Sequence, residues 1–168
     1  MKLETMHDLY VSELESLHDA EHQLIKVLPK MAKAASNPDL AKAFIEHCDE
    51  TKDHIDRLDE IFERLGTSPN GKKCRSMTVL IEEGKDVMAM DADPAVMDAA
   101  LIMAVQRIEH YEMTGYGCVR TFARLLGYEE TSDLLQETLD EEAEADRKLS
   151  KLAETDVNIK AVSQMAFV

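Results

Sequence analysis

Acidic side chains interrupt the apolar stripes of this 168-residue chain at positions where a helical protein usually buries leucine or valine. Leu17 and Leu24 bracket Glu21 at steps of four and three. A second stripe reads Ile102, Val105, Glu109, Glu112, Tyr116, Val119, and a third reads Leu135, Leu139, Glu142, Asp146, Leu149. On a fourth, His47 falls between Phe44 and Thr51, with Glu50 at the edge. An ionised carboxylate in a dry interior costs several kcal/mol unless a cation or strong donors meet it. Lys and Arg fall mainly between the stripes, so a multivalent cation is the economical partner. Glu109 and Glu112, three apart, share one helical face and can serve adjacent ions; His47 and Glu50 repeat that spacing with an imidazole nitrogen. Oxygen-rich sites with an imidazole suit iron or manganese better than structural zinc. Two metals bridged by shared Glu residues could bind dioxygen or peroxide and exchange electrons with it.

These groups must be carried by long helices. Three- and four-residue apolar steps predict helices over about 3–34, 38–65, 94–126 and 129–154, with a shorter one over about 77–90. Asn37-Pro38 and Asp93-Pro94 read as N-terminal caps with proline in the first turn, while Gly66 and Gly127 read as C-terminal stops. Pro29 marks a kink or an early fray in the first helix. Residues 155–168 read as a weakly structured tail. Tight turns join helices one and two, and likewise the last two, so each pair is an antiparallel hairpin. The segment between the hairpins, about 28 residues, is long enough to run the length of a bundle. The expectation is a single all-α domain over 1–168, a ferritin-like four-helix bundle with one long crossover containing a short extra helix. Counted from the turns, Glu21, Glu50, Glu109, Glu112 and Glu142 all lie about 13 to 19 residues along their helices, near mid-bundle.

Composition narrows the functions available. Six Gly, four Pro and 32% charged residues exclude collagen-like and low-complexity chains. A net charge of −15, with no basic block, argues against nucleic acid as a partner. No uncharged apolar run is long enough for a membrane span, and Met1-Lys2-Leu3-Glu4 does not open a signal peptide. Cys48, Cys74 and Cys118 are odd in number and form no CxxC pattern, which predicts reduced thiols and a cytoplasmic protein.

Several segments together resemble the YciE/YciF-type ferritin-like stress proteins, bacterial proteins distantly similar to rubrerythrin and bacterioferritin. They are Asp19-Ala20-Glu21-His22-Gln23-Leu24, His47-Cys48-Asp49-Glu50-Thr51 with Arg57-Leu58, Asp98-Ala99-Ala100-Leu101-Ile102, Glu109-His110-Tyr111-Glu112 with Tyr116-Gly117, and Leu139-Asp140-Glu141-Glu142. The resemblance spans almost the whole chain. It implies a di-metal bundle, usually a dimer, tied to stress responses. Ferritin-like di-iron sites usually take Glu-x-x-His from two helices. Here the second helix reverses the order, His47-x-x-Glu50, and Ala145 stands where a His three after Glu142 would fall.

The metal-ligand set is therefore Glu21, His47, Glu50, Glu109, Glu112 and Glu142, holding two iron ions with manganese as the alternative. His54 also faces inward, two turns or about 10.5 Å beyond His47, too far for both to serve one compact pair; the resemblance favours His47. Asp146 is a seventh ligand or an acceptor that holds an imidazole. His110 and Tyr111 leave the stripe, which suggests hydrogen bonding or packing. Tyr116 reads as a core residue first and a redox-active or proton-donating phenol second. Glu4/His7 and Glu15/His18 match Glu-x-x-His literally, but Glu15 points away from the stripe of Glu21. Two functions follow: a di-metal oxidoreductase acting on dioxygen, peroxide or ferrous ions within a small homo-oligomer, and a non-catalytic helical structural or interaction module with vestigial acidic core residues.

Overall fold

The structure, a computed structural model, describes residues 3–163. Four long helices, α1 (Met6–Ala34), α2 (Pro38–Arg64), α4 (Pro94–Leu125) and α5 (Glu129–Leu152), form the bundle, and α3 (Arg75–Met88) lies in the crossover. Three of the long helices start at a side-chain cap, whereas α5 has none. Thr5 and Asp8 form a reciprocal capping box at α1, Asn37 caps α2 ahead of Pro38, and Asp93 caps α4 ahead of Pro94. α2 and α4 are stopped by Gly66 and Gly127, whose φ of 66° and 80° would strain other residues. Pro29 is accommodated inside α1, which continues to Ala34.

Contacts between helix ends fix the topology. The α1–α2 turn meets the start of α4, where Ser36 N donates to Asp98 Oδ1 at 2.8 Å and Asn37 N to Asp98 Oδ2 at 3.0 Å. Arg64, closing α2, pairs with Glu130 at the start of α5. α1 thus neighbours α2 and α4, α5 neighbours α2 and α4, and every neighbouring pair is antiparallel. Residues 65–93 must travel from one end of the bundle to the other, and α3 packs against α1 and α4 on the way. This is the ferritin-like arrangement expected from the sequence, with α3 running over Arg75–Met88.

The crossover is tied down by polar contacts to α1. Asn70 Nδ2 donates to Glu15 Oε1 at 2.9 Å, Lys72 Nζ donates to Ser12 Oγ at 2.6 Å, and Cys74 N donates to Asp19 Oδ2 at 2.8 Å. At Gly84 an added Cβ would meet the terminal methyl of Met31, so α3 and α1 touch there through the end of that side chain.

The expected weak tail is helical as far as it is described. A π turn over Ala153–Val157 leads into α6 (Asn158–Ser163) and keeps Ala153 and Val157 buried. The end of the predicted tail, 164–168, lies outside the described residues.

The apolar core is in two pieces. One contains Leu24, Leu28, Met31, Phe44, Val105, Ile108 and Leu149, together with Met77 and Ile81 of α3. The other contains Tyr10, Leu14, Leu17, Leu58, Ile61, Phe62, Tyr116 and Leu135. All four long helices contribute to both, and a belt of ionisable side chains separates them.

Candidate metal centre

The belt is made of Glu21 from α1, His47 and His54 from α2, Glu109 and Glu112 from α4, and Glu142 from α5. The four carboxylates and His54 are 0% exposed and His47 is 4% exposed. Each sits on its helix where the apolar stripe would place a core residue, so the packing that buries Leu24 or Val105 also carries these groups inward.

Two sets of donors are close enough to surround an ion. Atoms of His47, Glu109, Glu112 and Glu142 lie within 4.8 Å of one another, and so do atoms of Glu21, His54 and Glu142. Glu142 belongs to both: Oε1 is 3.0 Å from His54 Nδ1, and Oε2 is 3.9 Å from His47 Nε2. His47 Nε2 is 3.0 Å from Glu109 Oε1, and His54 Nδ1 is 3.4 Å from Glu21 Oε1. Despite this proximity, both Glu109 oxygens, both Glu112 oxygens, both Glu142 oxygens, Glu21 Oε2, both His47 nitrogens and His54 Nδ1 make no hydrogen bond. Buried polar atoms are rarely left so. Ligand atoms about 2.1 Å from an octahedral ion are themselves about 3 Å apart, without pointing at one another. The donor set therefore fits metal ions, and its oxygen-rich chemistry with imidazole fits iron or manganese.

The outward faces of the two imidazoles are held from behind. His54 Nε2 is 3.0 Å from Glu141 Oε2, and Arg57 grips Glu141 with two bonds of 2.5 and 2.8 Å. With Nε2–H directed at Glu141, Nδ1 is free to present its lone pair to the interior. His47 has the opposite orientation: Nε2 faces inward and Nδ1 is 3.5 Å from Glu50 Oε2. Glu50 also meets Lys148, at 3.5 Å. Tyr116, fully buried, donates a short hydrogen bond to Glu21 Oε1.

Crowded carboxylates resist ionisation. Burial, reinforced by Glu21, Glu142 and Glu109, holds Glu112 well above the usual carboxylate range. Burial and then Glu109 push Glu142 up to about 8, against the pull of the two imidazoles. Burial opposes a charge on His54, but Glu142 and Glu21 outweigh it and raise the ring to about 10. His47 is likewise raised, burial being overcome chiefly by Glu109. Among the described residues, no Lys or Arg forms an ion pair with Glu21, Glu109, Glu112 or Glu142.

Five of the six ligands expected from the sequence come together: Glu21, His47, Glu109, Glu112 and Glu142. Glu50 is in neither set of donors; one third exposed, it backs His47 instead. Helical rise separates His54 from His47 by two turns, yet the two ring centroids are 6.4 Å apart, because both rings lean into the belt. The belt thus contains four Glu and two His, the complement of ferritin-like di-metal sites, with both His on α2 rather than one on each of two helices. The seven-residue spacing that places His54 on the same face as His47 was the available signal. Asp146 is elsewhere: Oδ1 accepts from Gln106 at 2.9 Å and is 3.3 Å from the largely exposed His110. Tyr111 meets Cys74 Sγ at 2.9 Å. Glu15 is buried against Asn70 of the crossover, and His18 meets Asp59 at 2.9 Å; neither belongs to the donor sets.

Fold and belt define a ferritin-like helical bundle with a buried His/Glu cluster able to hold metal. The model of a family described as a domain of unknown function, DUF892, matches residues 5–162, and the chain belongs to that family. Protein YciF of Escherichia coli (strain K12) is 41% identical over 162 residues, which are 96% of this chain and 98% of that protein. The crystal structure of the E. coli stress protein YciF superposes with a TM-score of 0.90, covering 93% of this chain and 99% of that one. YcfI of Rhodopseudomonas palustris is 38% identical with a TM-score of 0.86, covering 89% and 95%. A Xanthomonas campestris pv. campestris protein, 19% identical with a TM-score of 0.75 and coverage of 95% and 98%, shares the fold. Among the described residues no helix is long and apolar enough to cross a membrane.

Proposed function

We propose that the protein is a ferritin-like di-metal carboxylate protein of the bacterial stress response, holding two iron ions and handling dioxygen, peroxide or ferrous iron. Manganese suits the same donors. The observation that carries this reading is the set of unpartnered atoms: ten of the twelve buried side-chain polar atoms without a hydrogen bond among the described residues belong to the six belt residues. Two divalent ions match the charge of four carboxylates. His47, Glu109, Glu112 and Glu142 would hold one ion; Glu21, His54 and Glu142 would hold the other. When bound, the ions supply electron exchange with a small oxidant.

The chain's own contribution is orientation and proton handling. Arg57 fixes Glu141, and Glu141 fixes the tautomer of His54. Glu50, 3.5 Å from His47 Nδ1, steadies that ring by charge without a hydrogen bond. Tyr116 holds a proton at Oη against Glu21 Oε1 and can shift it as the charge on Glu21 changes. The apolar clusters on either side exclude water from the belt, which strengthens each electrostatic contact within it.

The stress assignment rests on the E. coli relative, which is described as a stress protein. We further propose a cytoplasmic homodimer, as the resemblance to YciE/YciF-type proteins implies; the free Cys48, Cys74 and Cys118 suit a reducing compartment. A non-catalytic structural module is the second reading. It is favoured by the raised Glu112 and Glu142 groups, which can neutralise the belt by keeping their protons, and by the description of the R. palustris relative as a candidate structural protein.

Elemental analysis of protein loaded with ferrous iron without oxygen separates the two. The di-metal reading expects about two metals per chain, the number that balances four carboxylates, and a large loss in Glu142→Gln. Metal content unaltered by that change would remove it. A metal-free purified protein whose melting temperature ignores chelator would establish the structural module.

A further inference from the structure

We propose that metal ions enter the belt between α2 and α5, where Glu50 collects a divalent cation from solvent and passes it to His47 and Glu109. The inference rests on the di-metal reading for its cargo and on a small cavity for its geometry. Glu46 and Glu50 of α2 and Lys148 of α5 line the outer side of that cavity, and His47 and Glu109 line its inner side. The outer three reach solvent, Glu50 by one third and the others more. The inner two are buried donors of one metal set, His47 4% and Glu109 0% exposed. Neither His47 nitrogen and neither Glu109 oxygen makes a hydrogen bond. An opening edged by carboxylates that ends on unsatisfied donors draws cations inward.

Width decides how an ion must travel. The cavity holds about 10 Å³, the space of a single water. A hydrated divalent ion is larger, so it passes only by exchanging water for protein oxygen at the mouth. Glu50 is placed for that exchange: Oε1 is 3.5 Å from Lys148 Nζ, and Oε2 is 3.5 Å from His47 Nδ1. One carboxylate thus reaches from an exposed ammonium to a buried ligand. The carboxylates behind the two imidazoles differ in the way this role requires. Glu141, behind His54, is clamped by two Arg57 bonds of 2.5 and 2.8 Å. Glu50 has only the Lys148 ammonium, a point charge on a flexible stem. Glu141 is held in place, and Glu50 is free to swing. Lys148 is its latch, keeping Glu50 outward until an ion at the mouth competes for the carboxylate. Glu46 is engaged by Lys42 at 3.2 Å on the exposed face, which leaves the transfer to Glu50.

The test adds manganese(II) to metal-free protein, because the six-line electron paramagnetic resonance spectrum of the aqueous ion broadens away on binding. Glu50→Gln is expected to slow uptake about tenfold or more. A passage serves both directions, so release into excess chelator should slow by a similar factor and the final manganese content should stay close to that of the unaltered protein. Lys148→Gln, which removes the latch, is expected to speed uptake several-fold. Asp49→Asn is the control for overall charge: Asp49 neighbours Glu50 in sequence but pairs with Lys52 at 2.7 Å and lies outside the cavity lining, so uptake should be unchanged. Uptake in Glu50→Gln as fast as in the unaltered protein overturns the entry while leaving the di-metal reading in place. Unchanged uptake with faster release overturns it too, since Glu50 would then only steady His47. A protein that takes up no manganese also overturns the entry, and the ferrous-iron analysis decides the di-metal reading separately.

Discussion

Leu28 and Glu112 are both fully shut away from solvent in this bundle, and opposite causes keep them there. Leu28 belongs to an apolar cluster where burial itself is the stabilising term. Glu112 belongs to the belt, where burial raises its pKa and neither oxygen finds a hydrogen bond. The clusters make the fold. The belt is tolerated by it, at a cost that an ion can offset. Stability and chemistry are therefore divided between regions only a few turns apart on the same helices.

The sharpest way to break this division is to substitute one residue in each region. Leu28→Ala should destabilise the fold by about 2–5 kcal/mol, through lost burial and the cavity left behind, without changing metal content. Glu112→Met should do the reverse, stabilising the metal-free protein by about 1–4 kcal/mol while abolishing occupancy of at least one ion. Denaturant titration with metal analysis reads both, and a destabilised Glu112→Met protein would mean that the belt contributes to folding without metal.

Support from behind the belt should matter less than the belt itself. Glu141→Ala frees Arg57 and lets the His54 ring turn, and should lower metal affinity about 10–100-fold with little change in melting temperature. Competition with a chelator of known affinity measures this; unchanged affinity would mean that His54 is not a ligand.

A smaller effect comes from pH. Glu142 is raised from 4.5 to about 8 and His54 from 6.5 to about 10, so the folded metal-free protein binds more protons than the unfolded chain between pH 4.5 and 10. Its stability should be greatest at the acid end of that window and fall by several degrees of melting temperature as pH rises. Metal affinity should climb over the same range, because ions compete with those protons. A melting temperature that rises with pH in metal-free protein would contradict the assignment of the belt as proton-rich.

How much of this was legible in the sequence follows the same division. The clusters were readable because apolar steps of three and four residues report directly on helices, and the caps at Asn37-Pro38, Asp93-Pro94, Gly66 and Gly127 report on their ends. The belt showed up as charge on an apolar stripe, which identified Glu21, His47, Glu109, Glu112 and Glu142. Helical rise alone does not bring His54 close to His47, because it measures distance between backbones, whereas two side chains leaning toward one point, with Glu142 between them, close most of that gap. Glu50 lies at the stripe edge, where spacing alone cannot tell a group facing the belt from one supporting an imidazole behind it. Glu15 was unreadable for another reason: its partner Asn70 comes from a turn-rich crossover whose path the α1 pattern does not encode. The tail was underestimated because a π turn shifts the helical phase, bringing Val157 inward where a regular period does not expect it.

The most direct test of the account is an anomalous difference map, recorded at the iron edge, from crystals grown of ferrous-loaded protein. Two peaks per chain are expected, one among His47, Glu109, Glu112 and Glu142 and the other among Glu21, His54 and Glu142, the two donor sets that share one carboxylate. A map without peaks, in which water or protonated carboxyl pairs fill the belt, would contradict it.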